Sequence, residues 1–178
     1  MIGRTFDLST LDAVWPIARH DRSCRMIADE VEATGIIERT ASDPDVMEFK
    51  HAIVSDALYD ALLFAHRREI HGAAGAALEV RYRDDVAAHA PVLAWHFEHA
   101  EAWNLAIRYL AIGGAHALER NANADCVRLY TRALEIVAEH KTPIGADEVA
   151  AWRGRMTEAA FRTGDMEAAT VHGRAAVQ

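Results

Sequence analysis

Cysteine is nearly missing from this 178-residue sequence: Cys24 and Cys126 are the only two, and neither lies in a CxxC pair. That excludes a disulfide framework and a zinc knuckle, and a reducing cytoplasm is the expected location. Basic charge is also scarce. Nineteen Lys and Arg stand against 27 Asp and Glu, for a formal net charge of −8. Nucleic-acid affinity rests on clustered Lys and Arg, so this balance argues against nucleic acid as a partner. Long uncharged apolar runs are lacking, which argues against a membrane span. The opening MIGRTFDLST has no basic segment followed by an apolar one, so it does not read as a secretory signal. No GxxxxGK[ST] loop, no HExxH and no nucleophile-and-base constellation occurs. The chain by itself is therefore expected not to be an enzyme.

What is present is a globular composition, 51% hydrophobic and 26% charged, long enough for one ordinary domain or two small ones. From residue 66 onward the pattern is helical and rich in Ala, Leu, Glu and Arg, with helices expected near 66–82, 85–99, 101–119, 122–139, 147–163 and 166–177. Asp84 and Asp85 suit a helix cap, Pro91 sits inside the following pattern, and Lys141–Gly145 makes a break before a cap at Asp147. The connections are short, so neighbouring helices should pack antiparallel. A self-similarity of about 43 residues runs through this half. Asn121-Ala122-Asn123-Ala124-Asp125-Cys126 aligns with Gly164-Asp165-Met166-Glu167-Ala168-Ala169. The stretch TGDMEAATVHGRAA resembles the inter-helix turn and second helix of a tetratricopeptide repeat, although Asn121 stands where glycine is usual and the period exceeds that family's.

The first 65 residues read differently. Ser9 or Thr10 is the expected cap of a helix carrying Leu11, Val14 and Ile17. A second helix runs from Ser23 to a stop at Gly35. Ile36–Thr40 and Met47–Lys50 form a hairpin about a turn at Ser42–Asp45, and a helix follows. Helix, helix, hairpin, helix is the order of a winged helix. The expected fold is mainly α: a small winged-helix unit over 1–65, with a short β-hairpin, then a tetratricopeptide-like α-α array over 66–178.

IGRTFDLSTLDAV, FKHAIVSDALYDALLFAHRREIHGAAGAALE and LAWHFEHAEAWNLAIRYL together resemble the region behind the nucleotide-binding core of large bacterial signal-transduction ATPases of the STAND type. Those proteins are often fused to class III adenylyl or guanylyl cyclase domains, or to LuxR-type domains that act in transcriptional regulation. The resemblance implies a non-catalytic regulatory segment whose partners are the nucleotide-binding domain of a parent protein and a protein or effector bound by the helices. No cofactor is expected in this chain; ATP or ADP would belong to the parent. It also implies that the chain is a segment of a longer architecture, in keeping with an array that ends on an apolar helix. By the same resemblance His51, at a strand-to-helix junction and followed by Asp56, would be a sensor of the ADP β-phosphate. An imidazole can donate to a phosphate oxygen. The alternative for His51 is a local hydrogen bond that supports the turn.

Other candidates have plainer readings. His66 and His71 are five apart and do not share a helix face, whereas His96 and His99 do, with no third ligand to make a metal site. Trp95, His96, Phe97, Trp103 and Tyr109 read as packing, Lys50 as a solvated wing residue, and Arg67 and Arg68 with Glu69 as a solvated helix face. The helix before the wing carries Arg25 against Asp29, Glu30 and Glu32, which favours a protein-contacting wing over a DNA-reading one. A free-standing adaptor that binds a peptide or protein is the second reading.

Overall fold

The computed structural model describes residues 5–14 and 23–176. Among these, three strands and nine helices follow in the order β1 Thr5–Asp7, α1 Leu8–Val14, α2 Cys24–Ala33, β2 Ile37–Arg39, β3 Val46–Phe49, α3 Ala52–Ala61, α4 Phe64–Arg81, α5 Val86–His99, α6 Trp103–Glu119, α7 Asn123–His140, α8 Ala146–Arg162 and α9 Met166–Ala176. The chain is mainly α, with a small antiparallel sheet ahead of a helical array. It divides into two compact units: the elements up to Arg81 together with His99–Glu101, and Tyr82–Glu98 together with the elements from Ala102 onward. α4 runs unbroken through residues 65 and 66, where the sequence places its domain boundary.

In the first unit β3 is central, with β1 and β2 antiparallel on either side. Phe6 and Arg39 both pair with Met47, which is wholly buried. Leu8, Ala28 and Ile37 pack around it, with Phe6, Leu11, Val31 and Phe49 partly buried against that cluster. Ser23 caps α2 by accepting the Met26 N–H at 3.3 Å, and Gly35 ends it at φ +76°. β1 was not foreseen, because three residues are too few to display an alternating pattern.

The cap of α1 is Asp7, one element earlier than Ser9 or Thr10. Its Oδ1 accepts the Thr10 N–H at 2.7 Å, and Oδ2 accepts the Thr10 hydroxyl at 2.8 Å and faces Arg81 at 2.5 Å. Ile17 lies outside the described residues. Burial alone would raise the Asp7 pKa, but the Ser9 and Thr10 hydrogen bonds and the Arg81 guanidinium outweigh it and hold it at about 2, against an ordinary 3.8. A depressed folded-state pKa stabilises the fold above the unfolded value and ceases to do so as pH falls through the folded one. Asp7 is thus expected to contribute about 2 kcal/mol at neutral pH. That contribution should be complete above about pH 4 and gone near pH 2. Asp7→Asn should remove most of it and flatten the stability profile in that window; urea titrations at stepped pH measure both.

In the second unit the repeat is literal. α6 and α8 begin at Trp103 and Ala146, and α7 and α9 at Asn123 and Met166, a spacing of 43 in both cases. Asn121 (φ +59°) and Gly164 (φ +78°) are equivalent left-handed residues, so asparagine supplies the conformation for which glycine is usual. The closing bonds match as well: Ala122 N–H to Ala117 O at 2.8 Å and Asp165 N–H to Ala160 O at 3.0 Å. Helices of 17 and 18 residues account for a period longer than that of the tetratricopeptide repeat. The α8 cap is Gly145, which has no side chain to offer, and Asp147 falls with Glu148 in the first turn instead. Pro91 lies within α5, and its ring packs against Gly113 of α6, 3.4 Å from where a Cβ would stand.

Candidate functional site

The strand-to-helix junction of the first unit is built as the sequence suggests. Phe49 ends β3, Lys50 reaches Glu38 across the hairpin at 3.3 Å, and His51 occupies the N-cap of α3 with extended backbone. The His51 side chain makes no capping hydrogen bond and is exposed, as is Asp56. Local support of the turn therefore comes from the His51 carbonyl, which accepts the Val54 N–H at 3.1 Å.

α3 is unusual for an apolar helix. Of its ten residues only Ser55 is buried. Ile53 is 77% exposed and Leu58 51%, and at a hundred degrees per residue they fall on one side together with exposed Ala57 and Ala61. Leu63 and Phe64 extend the apolar surface around the corner into α4, at 68% and 63% exposure. The corner itself is firmly held. Arg67 donates to the carbonyls of Leu62 (3.1 Å) and Asp60 (3.3 Å), and its guanidinium lies 5.0 Å from the centre of the Tyr59 ring. Arg67 is therefore a clamp on the end of α3 and not a solvated residue.

The other histidines sort by environment. His66 is exposed, whereas His71 is buried, with Nε2 3.0 Å from the Tyr59 hydroxyl and its ring 4.9 Å from that of His99. Glu101, two residues past His99, pairs with Arg68 at 3.0 Å. His96 is buried, and Phe97 stacks on buried Tyr109 at 5.5 Å. Trp103 stacks on His140 at 3.7 Å. Among the described residues no group of three or more His, Cys, Asp or Glu is placed to hold a metal ion. Arg25 pairs with Asp45 at 2.8 Å, and Arg39 joins Asp29 and Glu32, so cation and carboxylates on α2 and the hairpin are bound to each other. Cys126 is buried, and that burial pushes its thiol up to about 11, while Cys24 is also buried and shifted upward. Both are therefore thiols at neutral pH, unsuited to nucleophilic work.

The second unit holds a groove of about 750 Å³ that the sequence could not locate. One wall is a stripe of α6 from Asn104 to Ala115, the other a stripe of α8 from Glu148 to Arg155, and the loop at Pro143 and Ile144 closes one end. Helix periodicity identifies such stripes but does not say which face of an array is concave. Among the described residues no helix is long and apolar enough to cross a membrane. No protein-family model, curated protein or solved structure matches the chain.

Proposed function

We propose that this chain is a non-catalytic regulatory segment of a signal-transduction ATPase. The winged-helix-like unit docks on a nucleotide-binding core, and the helical array receives a protein or effector signal. The observation that carries the reading is α3, an apolar helix that leaves Ile53 and Leu58 exposed beside an exposed His51. A contiguous apolar surface of this kind is the usual mark of an interaction site. His51 at its edge is free to turn toward a phosphate held by the partner, where a charge-assisted hydrogen bond would favour the ADP-bound closed state. Engagement of the array would oppose that state, which is a coupling between two sites.

An antibody raised against this chain should detect a native polypeptide several times larger than 19.6 kDa. In that polypeptide His51→Ala should speed ADP release about tenfold, the worth of one charge-assisted hydrogen bond. Unchanged nucleotide retention removes His51 from the mechanism. A native band at 19.6 kDa instead favours a free-standing adaptor, a reading that the α6–α8 groove supports independently.

A further inference from the structure

We infer that Tyr59 is the positioning residue of the α3 docking face: it fixes how α3 is turned about its own axis, and so where the apolar surface at Ile53 and Leu58 points. The inference rests on the reading of α3 as a docking helix and names what holds that helix in place. A ten-residue helix is too short to be stable in water by itself, so the order of α3 depends on its packing. That packing is sparse. Only Ser55 is buried, Val54 and Tyr59 are half-buried, and the other residues of the helix are exposed.

Ser55 and Tyr59 are four residues apart and share one side of the helix, opposite Ala57 and Ala61. One anchor leaves a helix free to roll, whereas a second anchor one turn further along fixes its rotation. Tyr59 is gripped from two directions. Its hydroxyl lies 3.0 Å from Nε2 of His71, a residue of α4 that is 2% exposed, and its ring meets that imidazole edge-on at 5.9 Å. The Arg67 guanidinium, also from α4, stands over the ring at 5.0 Å from its centre and is itself tied to the carbonyls of Leu62 and Asp60. A hydrogen bond at one end of the phenol and a cation over its face together define where the ring can sit. Both grips close on a side chain on the side of α3 away from the docking face. Substitution there alters the orientation of that face without changing its chemistry.

Pulsed electron paramagnetic resonance on the full chain tests this, with nitroxide labels on Ser42→Cys in the β2–β3 turn and Ala57→Cys on the exposed side of α3. Cys24 and Cys126 are buried and should stay unlabelled. The parent should give one narrow distance distribution, and Tyr59→Phe should broaden it about twofold or more. Arg67→Met, which removes the grip on the face of the ring, should broaden it as well. In the native polypeptide Tyr59→Phe should speed ADP release about two- to tenfold, the range of one buried hydrogen bond. Ile53→Asp spoils the docking face itself, so it should speed release while the label distances stay as in the parent. An unchanged distribution in Tyr59→Phe would overturn the positioning role. So would a broadened distribution with ADP release unchanged in Tyr59→Phe but faster in Ile53→Asp, and that result would leave the docking reading standing. Unchanged release in Ile53→Asp would overturn the docking reading, and the label distances would then decide by themselves whether Tyr59 fixes α3.

Discussion

Replacing Gly114 by alanine should destabilise the second unit by about 2 kcal/mol, although alanine is the better helix former by about 1 kcal/mol. A Cβ at Gly114 would stand 2.7 Å from Cε2 and 2.9 Å from Cδ2 of the Tyr130 ring. That ring has nowhere to retreat: Tyr130 is wholly buried, packs at 5.8 Å on Trp152 and is held through its hydroxyl by Arg155. Overpacking of a dense core forces side chains off their rotamers or moves backbone, and here it must separate α6 from α7. Gly154, in α8, supplies the control, since nothing lies within 4 Å of the place its Cβ would occupy. The same change there should stabilise by about 0.5–1 kcal/mol. Opposite signs for one chemical substitution would isolate the steric term. In a Tyr130→Leu background the Gly114→Ala cost should fall, giving a coupling of roughly 1–2 kcal/mol. Urea denaturation of the four variants measures each quantity, and an additive cycle would refute the contact.

The Gly114–Tyr130 pair illustrates what the sequence conceals. Helix boundaries of the array were legible to within about two residues. They depend on local signals, such as the Gly164 turn, the Lys141–Gly145 break and the apolar period, and each of these acts within one helix turn. The 43-residue repeat was legible for the same reason, including the equivalence of Asn121 and Gly164. Gly114 alone looks like a weak point in a helix; only the partner brought to it by α7 explains it. Asp7 was overlooked as a cap because β1 hides it at the end of a strand too short to recognise. Arg67 was misread because its acceptors are the carbonyls of Asp60 and Leu62, which carry no sequence signature. At the candidate sites the division is the same. The position of His51 at the head of α3 followed from the turn and the strand pattern. The exposure of Ile53, Leu58, Leu63 and Phe64 did not, since an apolar helix is expected to be buried, and the groove required knowing which stripes of α6 and α8 face one another.

Trp152→Ala should have a still larger effect, about 3–5 kcal/mol, and that effect should be confined to one end of the array. Trp152 is 1% exposed and is the repeat equivalent of Tyr109, likewise 1% exposed, so each repeat places one large aromatic at the same level of its first helix. Removal of the indole leaves the Tyr130 ring without its neighbour and opens a cavity between α7 and α8. α9 has little to hold it independently: of its own residues only Ala169 is buried, while Met166 and Val171 are 57% and 59% exposed. In a stacked array each helix pair draws its stability from its immediate neighbours, so damage at one interface is expected to release the terminal pair before the rest. Amide hydrogen exchange resolved by segment should show loss of protection across α8 and α9, with α6 and the β1–β3 sheet of the first unit close to wild type. Equal loss throughout the second unit would mean that α6 to α9 unfold as one cooperative body, and that the repeats share a core instead of stacking one upon the next.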